Sequence, residues 1–108
     1  RKKYDLCFSV GLIEHFEPEG TKEIIKKHFD LVTDGGLVLI SFPTPTLQYR
    51  MTRKLMEKAG VWAFPDERPL QMNEVEDVCF SFGRKLDSFV FRMIPLTQGF
   101  VLAQKAKL

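Results

Sequence analysis

The alternation of apolar and polar positions predicts a strand, a helix and a second strand at the start of the chain. The first strand is the apolar run from Tyr4 to Val10, and the second runs from Leu37 to Phe42. Between them, apolar residues recur at helical spacing from Thr21 to Asp34, with lysines on the opposite face. Strands that are apolar on both faces belong in parallel sheets covered by helices, and a crossover of this length joins parallel strands. The pattern therefore predicts one complete βαβ unit.

The rest of the chain is predicted to add two helices and a pair of strands. Helical spacing places one helix over residues 46–59 and another after Asn73, which forms a predicted capping box with Glu76. Strands are predicted over residues 85–94 and 100–104. Because the turn between them is short, these two strands are expected to be antiparallel.

A series of short motifs links the first two strands. In order they are the strand beginning Tyr4-Asp5, the sequence Leu12-Ile13-Glu14-His15-Phe16, the helix, the sequence Leu31-Val32-Thr33-Asp34-Gly35-Gly36, and a strand closed by Pro43. This order resembles the second half of a class I S-adenosylmethionine-dependent methyltransferase of the type 11-like kind. The family commonly has an apolar residue, Lys and Pro before the two glycines, where this chain has Val32-Thr33-Asp34.

The resemblance implies an α/β fold with a partial Rossmann-like methyltransferase sheet. About four strands are expected in the order 1-2-4-3, mostly parallel with a C-terminal antiparallel hairpin and with flanking helices. Residues 1–108 then form a single domain, the C-terminal part of a methyltransferase fold, with residues 46–72 as a substrate-side insertion. The Gly-rich loop that receives the cofactor belongs to earlier strands in such enzymes, and no Gly-x-Gly pattern occurs in this sequence.

The carboxyl end of the first strand is the expected cofactor site. Ligands of open α/β sheets bind beyond the carboxyl ends of the strands, and a glycine there permits close backbone approach. By resemblance, Ser9, Val10, Gly11 and Leu12 line the methionine part of S-adenosylmethionine. The alternative interpretation is a strand end that simply needs a small residue.

Glu14 and His15 are the only adjacent acid and imidazole in the chain, and they follow this strand end. Imidazole changes its charge near neutral pH, so His15 is a candidate general base, and both residues are candidate acceptor contacts. Alternatively the pair orients the loop and stabilises a short helical turn, because methyl transfer often needs only alignment of the reacting groups. His28, among the lysines of the helix, is predicted to lie at the surface.

The segment after the second predicted helix holds the only tryptophan of the chain. Solvent-facing loops rarely keep large aromatic residues, so this segment either folds back on the core or forms a wall of a substrate pocket. The candidate contacts to a small-molecule acceptor are Tyr49, Arg50, Trp62 and Arg68.

Composition and charge exclude several classes of protein. Sixteen basic and fourteen acidic residues leave a net charge of +2, far from the concentrated charge of a nucleic-acid binder. No apolar run approaches the ~20 residues of a membrane span. Cys7 and Cys79 lie in different predicted elements without the partners that a zinc site or a disulfide needs. We therefore predict no metal and two buried free thiols in a cytoplasmic protein.

Two classes of function remain open. In the first, the parent protein transfers a methyl group from S-adenosylmethionine to a small-molecule or lipid-like acceptor, and this fragment alone is inactive. In the second, the chain is a stand-alone α/β module that acts by self-association or protein binding through its exposed first strand, Tyr4 to Val10. A nucleotide-binding reductase shares the sheet but also needs a Gly-rich loop.

Overall fold

A computed structural model describes residues 2–62, 68–92 and 97–106, which form a four-stranded mixed sheet with three α-helices. A single 3₁₀ turn, Ile13–His15, lies between the first strand and the first helix. In chain order the elements are β1 (Tyr4–Val10), α1 (Pro18–Asp30), β2 (Val32–Pro43), α2 (Leu47–Lys58), α3 (Met72–Phe82), β3 (Gly83–Arg92) and β4 (Thr97–Lys105).

Strand β2 lies inside the sheet and is paired along both sides. β1 runs parallel to it, with Phe8 beside Leu39, and β4 runs antiparallel to it, with Val101 beside Ile40. β3 pairs antiparallel with the other side of β4, so the strand order is β1-β2-β4-β3. The predicted parallel pair, antiparallel hairpin and strand order are therefore confirmed, and β1 is an edge strand.

Helices α1 and α3 bury one face of the sheet. The rings of Phe29 on α1 and Phe82 on α3 lie 5.6 Å apart and join the two helices. Beneath them, alternate residues of the strands point into the core because side chains alternate between the two faces of a sheet. The buried apolar residues of these elements are Ile25, Phe29, Val32, Val38, Ile40, Phe42, Val75, Cys79, Val101 and Ala103.

The opposite face of the sheet is apolar and open to solvent at both edges. On β1, Phe8 and Val10 are 63% and 69% exposed, and on β3, Phe89 and Phe91 are about half exposed. The register places Phe89 beside Phe100, and their rings stack 5.0 Å apart on this face. Monomeric soluble proteins rarely leave so many neighbouring apolar side chains uncovered.

Helix α1 begins earlier than the sequence pattern predicted. Pro18 occupies its first turn and Glu17 is the N-cap, so the predicted start of the helix at Thr21 was wrong. Proline is favoured at the first helical position, because its fixed φ suits the helix and its missing N–H has no partner to lose there. Thr21 is instead buried inside the helix, where its hydroxyl donates to the Ile13 carbonyl at 2.8 Å.

Helix α3 also begins earlier than predicted, and the expected capping box does not form. Gln71 is the N-cap and makes no side-chain cap hydrogen bond. The backbone just before it is held by the N–H of Leu70, which donates to the Pro43 carbonyl at 2.9 Å. Glu76 accepts a hydrogen bond from the Ser88 hydroxyl at 2.6 Å rather than reaching back to Asn73.

Strand β2 starts at Val32, so the Asp-Gly-Gly sequence lies inside the strand instead of preceding it. Tyr4 pairs with Val32 and Leu6 with Leu37, which leaves extra residues of β2 in a bulge. Gly35 has a φ of +79° within that bulge. This positive φ, which glycine adopts without a Cβ clash, bends the strand.

Candidate functional site

The carboxyl end of β1 turns sharply at Gly11. This residue has a φ of +72°, in the left-handed region that glycine adopts without a Cβ clash. Its N–H donates to the Ser41 carbonyl at 3.1 Å, which continues the ladder to β2. A Cβ on Gly11 would also lie 3.3 Å from Glu14 Oε2. The bend therefore favours glycine for two reasons and brings the Glu14 side chain next to the strand end.

Glu14 and His15 form the exit from this bend, within the 3₁₀ turn. The Glu14 side chain is buried, whereas the His15 side chain keeps 27% of its surface exposed. His15 Nε2 lies 3.5 Å from Glu14 Oε2. The carboxylate therefore lies beneath an imidazole that a solute can still reach.

Arg68 connects the 3₁₀ turn to both covering helices. Its backbone N–H donates to the Glu14 carbonyl at 2.8 Å, and its Nε donates to the Phe16 carbonyl at 3.1 Å. Nη1 donates to Glu74 at 3.1 Å and Nη2 donates to the Thr21 hydroxyl at 3.1 Å. All three guanidinium nitrogens are thus engaged with the protein itself. The contact predicted between Arg68 and an acceptor stays a prediction.

His28 is buried beneath β1, so the prediction of a surface position was wrong. His28 Nδ1 lies 2.7 Å from the Ile24 carbonyl, and Nε2 lies 2.8 Å from Ser9 Oγ. A carbonyl only accepts, so Nδ1 carries a proton, and when the ring is neutral Nε2 accepts from the Ser9 hydroxyl. His28 stands three residues after buried Ile25, on the inner face of α1. That spacing was the signal the sequence analysis missed.

Three threonine hydroxyls fix the carboxyl end of β2. Thr97 Oγ1 lies 3.0 Å from Thr44 Oγ1 and 2.7 Å from Thr46 Oγ1. Thr46 Oγ1 also accepts from the Tyr49 N–H at 3.1 Å and so caps the start of α2. Sequence spacing gives no sign of this cluster, because Thr97 is far from the other two threonines along the chain.

The remaining candidate acceptor contacts lie on or beside α2. Tyr49 is buried and meets the Trp62 ring edge-on, with ring centroids 6.1 Å apart. The Arg53 guanidinium lies 5.0 Å from the centre of the Trp62 ring, and Arg50 is exposed. Trp62 therefore folds back onto α2. Residues 63–67 of the predicted pocket wall lie outside the described residues.

The two cysteines are free thiols. Burial in the core, with a smaller contribution from the Glu76 charge, raises the pKa of Cys79 to about 12. Burial also raises the pKa of Cys7, which is only partly buried. Among the described residues, no group of three or more His, Cys, Asp or Glu side chains is arranged to hold a metal ion. In the same part of the chain, no helix combines the length and the apolarity needed to cross a membrane.

Comparison with solved structures identifies the fold. Magnesium protoporphyrin IX methyltransferase from Synechocystis PCC 6803 superposes with a TM-score of 0.74 at 14% identity, over 98% of this chain and 47% of that one. The N-methyltransferase NodS from Bradyrhizobium japonicum WM9 superposes with a TM-score of 0.64 at 6% identity, over 96% of this chain and 47% of that one. This chain has part of a class I methyltransferase fold. It spans about half the length of these two structures.

The class I methyltransferase fold does not by itself determine the reaction. A pericyclic reaction enzyme also superposes on the chain, with a TM-score of 0.64 at 9% identity, over 96% of this chain and 27% of that one. No protein-family model and no curated protein sequence gives a significant match. The activity therefore has to be argued from the site residues.

The Arg68 hydrogen bonds predict that this residue stabilises the fold. We expect Arg68→Ala to lower the free energy of unfolding by about 1–3 kcal/mol, since it leaves Glu74 and the Phe16 carbonyl without these partners. Urea unfolding followed by circular dichroism measures the change. Lys54→Ala, at an exposed position on α2, is the control and should stay within about 0.5 kcal/mol of wild type. An Arg68→Ala variant as stable as this control would contradict the prediction.

Proposed function

We propose that this chain is part of an S-adenosylmethionine-dependent methyltransferase whose acceptor is a small or lipid-like molecule. One observation carries the proposal: the Gly11 bend and the Glu14-His15 turn stand at the carboxyl end of a strand that is paired in parallel. That edge is where open α/β sheets bind their ligands. The Synechocystis and Bradyrhizobium methyltransferases, which share the fold, contain bound S-adenosylhomocysteine.

The residues at the end of β1 fit one wall of a cofactor site. Val10, Gly11 and Leu12 are exposed there, and Gly11 has no side chain to keep a ligand away from the backbone. The Ser9 hydroxyl is held by His28, so Ser9 contributes main-chain groups only. The bound cofactor supplies a methyl group activated on a sulfonium sulfur. No Gly-x-Gly loop, which would hold the rest of the cofactor, occurs in this sequence.

His15 and Glu14 stand next to this wall and are proposed to receive the acceptor. His15 would accept the proton that a hydroxyl or acid acceptor loses when its oxygen takes the methyl group, while the carbon–sulfur bond breaks and leaves a neutral thioether. Because His15 Nε2 lies 3.5 Å from Glu14 Oε2, the carboxylate is close to any positive charge that develops on the ring. The Glu14 carboxylate then stabilises the imidazolium that forms. For an acceptor that loses no proton, the same residues serve only to align it.

The 108 residues alone are proposed to bind the cofactor weakly and to be inactive, because they supply only one wall of its site. We also propose a cytoplasmic location, on the ground that two free thiols suit a reducing compartment. Tyr49, Arg50, Trp62 and Arg68 remain proposed acceptor contacts.

Calorimetric titration with S-adenosylhomocysteine tests the cofactor proposal. We expect the complete protein to bind it and the 108-residue chain to bind at least about tenfold more weakly, a difference of about 1.4 kcal/mol or more. If the 108-residue chain bound S-adenosylhomocysteine as tightly as the complete protein, the proposal that it supplies only one wall of the site would be contradicted. Absence of binding to the complete protein would refute the cofactor assignment.

A pair of glycine variants sharpens this test. Gly11 and Gly60 both have positive φ, at +72° and +74°, but only Gly11 stands at the end of β1. Alanine strains the backbone at both positions. In the complete protein, only Gly11→Ala should weaken binding of S-adenosylhomocysteine. Equal losses in the two variants would mean that backbone strain alone explains the effect.

The proposed proton transfer predicts that His15→Gln lowers kcat of the complete enzyme by about 10²–10⁴. Lys22→Gln, at an exposed position on α1, is the control. A His15→Gln variant whose kcat stays within about threefold of wild type would leave alignment as the only role of this residue.

A second function, self-association, is favoured by the edge position of β1 and by its exposed side chains. Edge strands offer unpaired backbone groups to another chain. We expect light scattering to show a dimer of the 108-residue chain and Phe8→Lys to shift it toward monomer. Phe89→Lys, on the opposite edge strand, should have less effect. A monomer at high protein concentration would exclude this function.

A further inference from the structure

Helix α2 exposes an apolar stripe along one side. Leu47, Met51 and Leu55 recur every four residues and are between 63% and 74% exposed. The opposite side of the helix is occupied, since Tyr49 is buried and Arg53 lies over the Trp62 ring. The stripe therefore faces away from the part of the protein that packs against α2.

The stripe is accompanied by positive charge. Helix α2 contains four basic residues and one acidic residue, so its net charge is 4 − 1 = +3, compared with +2 for the whole chain. The acidic residue, Glu57, lies 3.4 Å from Arg53 on the occupied side. The three remaining cations, Arg50, Lys54 and Lys58, are exposed. At 3.6 residues per turn, the two lysines project within about 20° of the direction of Leu47.

We propose that α2 docks on the surface of an anionic lipid bilayer, lying parallel to its plane. A helix with an apolar stripe and exposed cations buries the stripe at the level of the headgroups while the cations meet the lipid phosphates. Lysine stems extend along such a boundary and keep their ammonium groups in water. The 12 residues of α2 span about 18 Å, which suits lying in the interface and is too short to cross it.

Charge and shape favour a bilayer over other partners. A second copy docked stripe to stripe would bring the cations of both helices together, and such like-charge contacts oppose binding. A helix is convex, so a folded acidic protein would need a groove to receive it, whereas a lipid surface adapts to the stripe. The inference goes beyond the proposed methyltransferase function and does not depend on it.

Vesicle flotation of the 108-residue chain tests the docking surface. One set of vesicles is phosphatidylcholine, and in the other about a third of the lipid is phosphatidylglycerol. Each cation near an anionic surface raises the partition constant about fivefold. We expect at least about tenfold stronger binding to the anionic vesicles, and a loss of at least about tenfold in Lys54→Gln/Lys58→Gln. Binding that is equal for the two lipids would overturn the proposal.

A second pair of variants separates the stripe from the open face of the sheet. Met51→Gln/Leu55→Gln removes apolar side chains but keeps good helix formers, and Phe8→Thr/Val10→Thr removes two from β1. Unchanged fluorescence of Trp62, the single tryptophan, verifies that the packing against α2 is intact. We expect only the α2 pair to lose binding by about tenfold or more. Loss confined to the β1 pair would refute the assignment.

The complete protein provides the final arm of this experiment. It should bind the anionic vesicles with the same dependence on Met51, Leu55 and the two lysines. If another part of the complete protein covers the stripe, vesicle binding is absent there and the proposal fails. Titration with S-adenosylhomocysteine on the same samples tells this failure apart from failure of the methyltransferase assignment.

Discussion

Pairing of β2 on both of its sides is the constraint on which the rest of the structure depends. β1 lies along one side in parallel and β4 along the other in antiparallel orientation. The side chains of Val38, Ile40 and Phe42 from this strand are buried with those of α1 and α3. A strand that is hydrogen-bonded on both sides and covered on one face has a single register that keeps its apolar side chains in the core.

The carbonyl groups and side chains at the end of β2 also position the candidate site. The Ser41 carbonyl accepts from Gly11, and the Pro43 carbonyl accepts from Leu70. Just beyond the strand, Thr44 holds Thr97, whose hydroxyl also meets the residue that caps α2. The bend after β1, the segment before α3 and the start of α2 are therefore all attached to one strand end.

Two apolar surfaces of the described chain lie open, and they differ in their chemistry. The open face of the sheet carries neighbouring aliphatic and aromatic side chains next to an unpaired strand edge. Such a surface suits a protein partner, which supplies both apolar contacts and backbone hydrogen bonds. The stripe on α2 has no strand edge and is accompanied by exposed cations, so it suits a surface that is deformable and anionic. The two surfaces therefore call for different partners.

The sequence by itself determined the element types, the parallel β1–β2 pair, the strand order and the position of Glu14 and His15 after β1. The element types and the parallel pair follow from periodicity and from the lengths of the connections, which act over a few residues, whereas the strand order follows from the resemblance to methyltransferases. Only the tertiary structure decided that His28 is buried against Ser9, that Arg68 joins three elements and that Thr97 meets Thr44. Each of these contacts joins residues that are distant along the chain. Helical spacing can indicate that His28 is buried, but it carries no information about the residue that His28 meets. The physical reason is that side-chain pairing depends on how the elements pack, which is settled only when the whole core forms.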